Sequence, residues 1–141
     1  MERKRGLSKG TKLGPMEEWP SVVWTDTALR CIVRIDSWLQ RKKEPRKKWE
    51  VHKFGINLSY MELENAPDGD YTNVIRFDCQ HFHAEVHEFW QSSDPVPLKW
   101  AKDKSRDRIF SICSDDIKSN YREYIGKMRD VRVRERGGSN D

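Results

Sequence analysis

Residues 76–89 contain three of the four histidines of this chain, in the stretch RFDCQHFHAEVHEF. The residues that could do chemistry there are Arg76, His81, His83, Glu85 and His87. Imidazole exchanges protons near neutral pH, a carboxylate can act as a base, and a guanidinium group binds phosphate through two hydrogen bonds. Cleaving RNA without a metal requires a base for the 2′-hydroxyl, an acid for the leaving oxygen and a cation for the charge on phosphorus. We therefore predict that these five residues are catalytic.

The hydrophobic pattern predicts how the strands of this stretch pair. A two-residue turn at Cys79 and Gln80 places Arg76 opposite His83 and Thr72 opposite His87. Because side chains alternate between the two faces of a strand, this register puts the apolar residues on one face and the polar residues on the other.

The preceding strand extends the same two faces. Pairing Leu58 with Phe77 and Tyr60 with Ile75 keeps the apolar side chains together. The predicted polar face then carries Asn57, Ser59, Thr72, Arg76, Asp78, His81, His83, Glu85 and His87.

Two other interpretations of this face stay open. It can be the solvated side of an ordinary antiparallel sheet, which often exposes His, Glu and Arg without catalytic purpose. It can also hold a metal, because His81 and His83 are two apart on a strand and point the same way. The span HFHAEVHE also resembles part of the first cupin motif through His81, His83 and Glu88, but it lacks the flanking glycines of that motif. For the ribonuclease reading, no cofactor is expected.

Basic residues are concentrated in one predicted turn. The chain has a net charge of +4, and residues 41–53 hold seven basic residues against two acidic ones. Such a cluster suits a phosphate backbone, although a solvated turn has the same composition. The candidate nucleic-acid-binding residues are Arg41, Lys42, Lys43, Arg46, Lys47 and Lys48. Together with the six tryptophans, which could stack on bases, they also allow a non-catalytic module that binds nucleic acid or protein.

The cysteines and the hydropathy indicate a compartment. Cys31, Cys79 and Cys113 are far apart and form no C-x-x-C pair, which is typical of a reducing environment. Neither an apolar leader nor a run of membrane-spanning length occurs. We therefore predict a cytoplasmic protein without a membrane partner.

Composition and periodicity predict the domain organisation. Residues 1–20 are expected to form a flexible basic tail, residues 21–130 a single α+β domain, and residues 131–141 a second flexible tail. Within residues 25–41 the pattern fits either a strand or an amphipathic helix, and the crowding of β-branched residues favours the strand. The spacing of Phe110, Cys113 and Ile117 predicts a helix near the C-terminus. The predicted fold is a curved antiparallel sheet of about four strands packed on this one main helix.

The order of these segments resembles a family of small bacterial and phage proteins, the TumE-type toxins of toxin–antitoxin modules. The resemblance rests on Arg76-Phe77-Asp78 at a strand end, the histidines that follow, and a helix with Asn120 and aromatic residues in the stretch from Asp116 to Tyr124. It covers roughly residues 29–124. It implies a small toxin-like protein that acts on RNA and is neutralised by an antitoxin-like partner protein.

Overall fold

The computed structural model describes residues 7–79, 83–91 and 94–139, with side chains described as far as residue 135. The strands are β1 (Lys12–Glu18), β2 (Val22–Asp26), β3 (Cys31–Lys43), β4 (Glu50–Glu62), β5 (Thr72–Cys79), β6 (Glu85–Glu88) and β7 (Val96–Pro97). One long helix, α1 (Arg106–Ser139), follows them, and short 3-10 turns occupy Leu63–Asn65 and Lys99–Ala101.

The seven strands form one antiparallel sheet. The order is β1-β3-β4-β5-β6-β7, and β2 pairs with β3 beside β1. Helix α1 packs on one face, mainly against β4 and β5. The α+β prediction with one C-terminal helix is confirmed, whereas the prediction of about four strands was too low.

The central strands follow from their apolar alternation. In β3 the buried residues Cys31, Val33 and Ile35 alternate with half-exposed ones. The segment 31–43 is therefore a strand, and the helical alternative is excluded. In β4 the buried residues Phe54, Ile56, Leu58 and Tyr60 occupy every second position and face α1, so the two strands share one dry face.

Strand β1 lies inside the segment that we expected to be a flexible tail. It pairs with the second half of β3, and the register shifts between Leu13 and Met16. The two residues in that gap are Gly14 and Pro15, and proline is tolerated in an edge strand at such an irregularity. The amide of Gln40 donates to the carbonyl oxygen of Gly14 at 3.0 Å, which ties the irregular part to β3.

Helix α1 buries one stripe of its surface. Ile109, Cys113, Ile117 and Ile125 are fully buried against the sheet, in agreement with the predicted helical spacing. The hydroxyl of Ser105 accepts a hydrogen bond from the backbone N–H of Arg108 at 3.2 Å and caps the first turn. The helix continues to Ser139, into the segment for which a second tail was predicted.

The register predicted for β5 and β6 was wrong by four residues. Arg76 lies opposite His87 and Asp78 lies opposite Glu85. The predicted two-residue turn is replaced by a longer connection, since β5 ends at Cys79 and β6 begins at Glu85. A shift of four is even, so Arg76, Asp78, Glu85 and His87 keep the faces that the sequence assigned to them.

The register predicted for β4 and β5 was wrong by two residues. Leu58 lies opposite Ile75 and Ile56 opposite Phe77, and Val74 is the extra residue of a bulge. Beyond the bulge the shift is three: Thr72 lies opposite Tyr60 and Asn73 opposite Ser59, so Asn73 and not Thr72 lies on the face away from α1. Before the bulge the shift is even. Asn57 therefore keeps its place on the face away from α1 and becomes the direct neighbour of Arg76.

Candidate functional site

The sheet face turned away from α1 carries most of the polar side chains of the sheet. We call it the polar face and define it by Arg34, Asp36, Trp38, Asn57, Asn73, Arg76, Asp78, Glu85 and His87. Most of these side chains are half-exposed, in contrast to the buried face beneath α1. A ligand can reach them without any rearrangement of the core.

Strands β5 and β6 bring the two central pairs of the polar face together. Arg76 is paired with His87, and Asp78 with Glu85. The Cβ atoms of directly opposed residues lie about 4.5–5.5 Å apart, within reach of one phosphate group. The cation and the imidazole are therefore neighbours across the strands, one step along from two carboxylates.

Arg76 is held in place by contacts on both sides. Its Nε donates to Oδ1 of Asn57 at 3.3 Å. Its guanidinium carbon lies 5.4 Å from the ring centre of Phe89. The side-chain amide of Asn57 also donates to Oδ1 of Asn73 at 3.0 Å. This chain of contacts orients the guanidinium group on the polar face.

Phe89 also contacts the neighbouring histidine. The rings of His87 and Phe89 are stacked, with centres 3.9 Å apart and planes 26° from parallel. Stacking uses the face of the imidazole and leaves its nitrogen atoms at the ring edge. Phe89 thus fixes both Arg76 and His87, a role that sequence reasoning missed. The only indication of this role in the sequence is that an aromatic residue follows His87 by two positions.

His83 lies just before β6 and contacts the carboxylate of Glu85. The distance from Nε2 to Oε1 is 3.0 Å, and the His83 side chain is 52% exposed. A carboxylate that accepts from Nε2–H leaves Nδ1 as the proton acceptor, which is the arrangement of a general base. His81, the remaining predicted catalytic residue, lies outside the described residues.

Arg34 and Tyr71 extend the polar face toward β3. Arg34 forms an ion pair with Asp36 at 3.0 Å and lies 5.3 Å from the ring centre of Tyr71. Ser21 donates a hydrogen bond to Asp36. This second arginine, next to an aromatic ring, was not among the predicted site residues.

Trp38 covers a glycine at the centre of the same face. It lies opposite Gly55 across the strands, and Gly55 lies opposite Asp78. A Cβ atom added at Gly55 would come within 2.3 Å of the Trp38 indole nitrogen. The indole therefore rests on the glycine, one strand away from the Asp78–Glu85 pair.

The basic turn is partly neutralised by neighbouring acids. Arg41 pairs with Glu17 at 3.2 Å, Lys42 pairs with Glu44 and Glu50, and Lys47 pairs with Glu44 at 3.1 Å. The ammonium group of Lys43 donates to backbone carbonyls at the turn. Arg46 and Lys48 are exposed and have no ion pair within the described part of the chain. They are the residues of the turn best placed to meet a phosphate.

Metal binding and catalysis by a nucleophilic cysteine have little support. Among residues 7–79, 83–91 and 94–139, no group of three His, Cys, Asp or Glu side chains is placed to hold a metal ion. Of the predicted metal pair of His81 and His83, His81 lies outside these ranges. All three cysteines are buried, and burial raises the pKa of the Cys113 thiol to about 12, which disfavours a nucleophilic thiolate.

Neither a protein-family model, nor a curated protein, nor a solved structure matches this chain. The described helices include none that is both long and apolar enough to cross a membrane.

Proposed function

We propose that the polar face, together with the adjacent His83, binds single-stranded RNA and cleaves its backbone without a metal. The observation that carries the proposal is the pairing of β5 with β6, which places Arg76 directly opposite His87. The His83–Glu85 contact lies at the start of β6, where Glu85 is two residues before His87. A cation, an acid and a base for phosphodiester cleavage are thus available on one solvated surface.

The roles follow from the contacts of each group. His83, oriented by Glu85, takes the proton of the 2′-hydroxyl, and the 2′-oxygen attacks phosphorus. Arg76 stabilises the negative charge that develops on the phosphoryl oxygens. The bond from phosphorus to the 5′-oxygen breaks, and His87 gives that oxygen a proton. The products are a 2′,3′-cyclic phosphate and a free 5′-hydroxyl.

Aromatic side chains supply the surface for the bases. Trp38 and Phe89 are both half-exposed: Trp38 covers Gly55 next to Asp78, and Phe89 lies beside Arg76 and His87. Bases of a single strand stack on such rings, and each stacked base contributes about 1–3 kcal/mol. The exposed Arg46 and Lys48 can contact phosphates further along the strand.

The resemblance to TumE-type proteins leads us to propose a toxin-like role with an antitoxin-like partner. Its supports are the Arg76-Phe77-Asp78 strand end and the asparagine and aromatic residues of α1. If the proposal holds, induced expression of the wild type arrests bacterial growth and expression of His83→Ala does not. Equal growth of both cultures would remove the support for a toxin.

A binding module without catalysis is the second candidate. Asn57 and Phe89 hold Arg76, and Asp36 pairs with Arg34, an arrangement that also suits static recognition. In that case RNA is retained by the wild type and is recovered intact.

Binding is tested by fluorescence polarisation with a short labelled single-stranded RNA. We expect Arg76→Ala to weaken binding by about tenfold, the effect of a lost charge-assisted contact. Arg134→Ala is the matched control, because it removes the same charge from an exposed position near the end of α1. Equal weakening in both variants, or no salt-sensitive binding by the wild type, would contradict the proposed surface.

A further inference from the structure

A cleft opens between α1 and the β5–β6 edge, on the sheet face opposite the polar face. Its volume is about 270 Å³. The walls are largely apolar and aromatic, and they are formed by Ile75, Phe77, Val86, Leu98, Trp100 and Ile112. This volume lies just below the usual range for ligand sites, so the cleft has room for a small molecule and not for a nucleotide.

Two carboxylates and a phenol line the same cleft: Glu88, Asp116 and Tyr124. Asp116 accepts hydrogen bonds from the Tyr124 hydroxyl and from the amide of Asn120. Glu88 accepts one from the amide of Gln91 at 2.7 Å. All of these donors are neutral. Within the part of the chain that the structure describes, no lysine, arginine or histidine forms an ion pair with either carboxylate.

Tyr124 is fixed as a hydrogen-bond donor. Its ring stacks on Trp90 with planes 16° from parallel. Burial, together with the hydrogen bond to Asp116, raises the pKa of Tyr124 far above its ordinary value. The phenol therefore orients Asp116 and does not neutralise its charge.

The side chains that line the cleft favour one class of ligand. Carboxylates beside apolar walls lose part of their hydration, and a cation that enters restores a charged partner. Aromatic rings such as Phe77 and Trp100 attract ammonium groups through their π-faces. An anion would meet two like charges, and a neutral apolar molecule would leave the carboxylates uncompensated.

We propose that this cleft binds a small organic cation, with its ammonium group at Glu88 and Asp116 and its short carbon chain against Phe77, Leu98 and Trp100. The site does not depend on the proposed RNA surface, because it lies on the other face of the sheet. Its ligand is an amine a few carbon atoms long.

Isothermal titration calorimetry with n-butylammonium tests the site. We expect saturable binding by the wild type, and much weaker binding of n-butanol and butyrate, which have the same chain length without the positive charge. Asp116→Asn and Glu88→Gln should each weaken butylammonium binding by at least about fivefold. Asp115→Asn is the control, since it removes a charge from the adjacent exposed position of α1.

Circular dichroism shows whether each variant is folded, and Glu88→Gln keeps the test decisive if Asp116→Asn disturbs α1. The proposal is overturned if butylammonium does not saturate the wild type, if butanol binds equally well, or if the control and the cleft variants behave alike.

A short peptide with one lysine separates two sources of the ammonium group. Tighter binding of the peptide assigns the cleft to a protein partner, and weaker binding assigns it to a free amine.

Discussion

Asp26 shows how one buried carboxylate joins the first hairpin to the helix. Its oxygens accept hydrogen bonds from Tyr121 at 2.6 Å, from Arg122 at 2.9 Å and from the backbone N–H of Leu29 at 3.0 Å. The hydrogen bond from Tyr121, followed by that from Leu29, lowers the pKa of Asp26 to about 2. The sequence did not reveal this role, because its partners on α1 lie almost a hundred positions away.

We expect Asp26→Asn to lower the free energy of unfolding by about 2–3 kcal/mol at neutral pH, because the buried donors lose a charged acceptor. A folded pKa below the unfolded value of 3.8 stabilises the protein above that pH, and this stability is lost as the pH falls toward 2. Urea unfolding should therefore show a smaller difference between the variant and the wild type in acid. Asp36→Asn, which breaks an exposed ion pair, should cost less than about 1 kcal/mol. Equal losses for Asp26 and Asp36 would contradict this account.

His52 predicts a second pH effect at the residue scale. Burial lowers its pKa, and the nearby Arg106, Lys42 and Lys53 lower it further. The unfolded chain takes up a proton near pH 6.5 while the folded chain does not, so stability is complete above that pH and falls as the pH decreases below it. Replacing His52 with Gln should reduce the pH dependence of unfolding between about pH 5 and pH 7. An unchanged pH dependence would show that another group causes it.

At the scale of the elements, the β3–β4 pair depends on a glycine beneath a tryptophan. A Cβ at Gly55 would overlap the indole of Trp38, whereas nothing lies within 4 Å of a Cβ added at Gly126. We expect Gly55→Ala to destabilise the protein by about 1–3 kcal/mol through overpacking. Gly126→Ala, in α1, should stabilise it by up to about 1 kcal/mol. Chemical denaturation measures both changes.

A double-mutant cycle identifies the cause. If the overlap with Trp38 is responsible, the Gly55→Ala penalty falls when it is measured in a Trp38→Ala background. A penalty that persists at full size would assign the effect to the backbone of β4.

The elements that were predicted correctly are those in which the buried residues recur at a regular spacing along the sequence. β3, β4 and β5 alternate apolar and polar residues, and α1 repeats every three or four, so their type could be read. The same period sorts residues between faces and leaves the register open by any even number of residues. The registers were therefore missed by four residues and, before the bulge at Val74, by two, while Asn57, Arg76, Asp78, Glu85 and His87 kept the polar face. The bulge itself left no signal in the sequence, and it moved Thr72 off this face.

The missed strands lack such a signal. β1 contains Gly14 and Pro15, and Leu13 and Met16, its larger apolar side chains, are about half-exposed. It is held by pairing with β3 and not by burial, and pairing depends on distant residues. The same holds for Phe89, whose place above Arg76 depends on how the chain leaves β6.

At the scale of the whole molecule, α1 extends beyond its contacts with the sheet. Among the α1 side chains that the structure describes, the last fully buried one is Ile125, and Arg129 forms two hydrogen bonds to Glu62 at 3.0 and 2.6 Å. Truncation after Asp130 should therefore change the free energy of unfolding by less than about 0.5 kcal/mol. Truncation after Tyr121 removes Ile125 and Arg129 and should cost several times more, by about 3 kcal/mol or above. Thermal unfolding of both forms checks the difference, and a large loss in the first form would reveal a structural role for the end of α1.

The order of the strands, their registers and the side-chain contacts together bring the residues of the polar face to one surface. The most direct test of its proposed function is cleavage of a labelled single-stranded RNA in the presence of EDTA. We expect the wild type to yield ends with a 2′,3′-cyclic phosphate, His83→Ala to be at least about a hundredfold slower, and Arg134→Ala to be unchanged. Intact RNA after incubation with the wild type, or equal rates for the wild type and His83→Ala, would contradict the proposal.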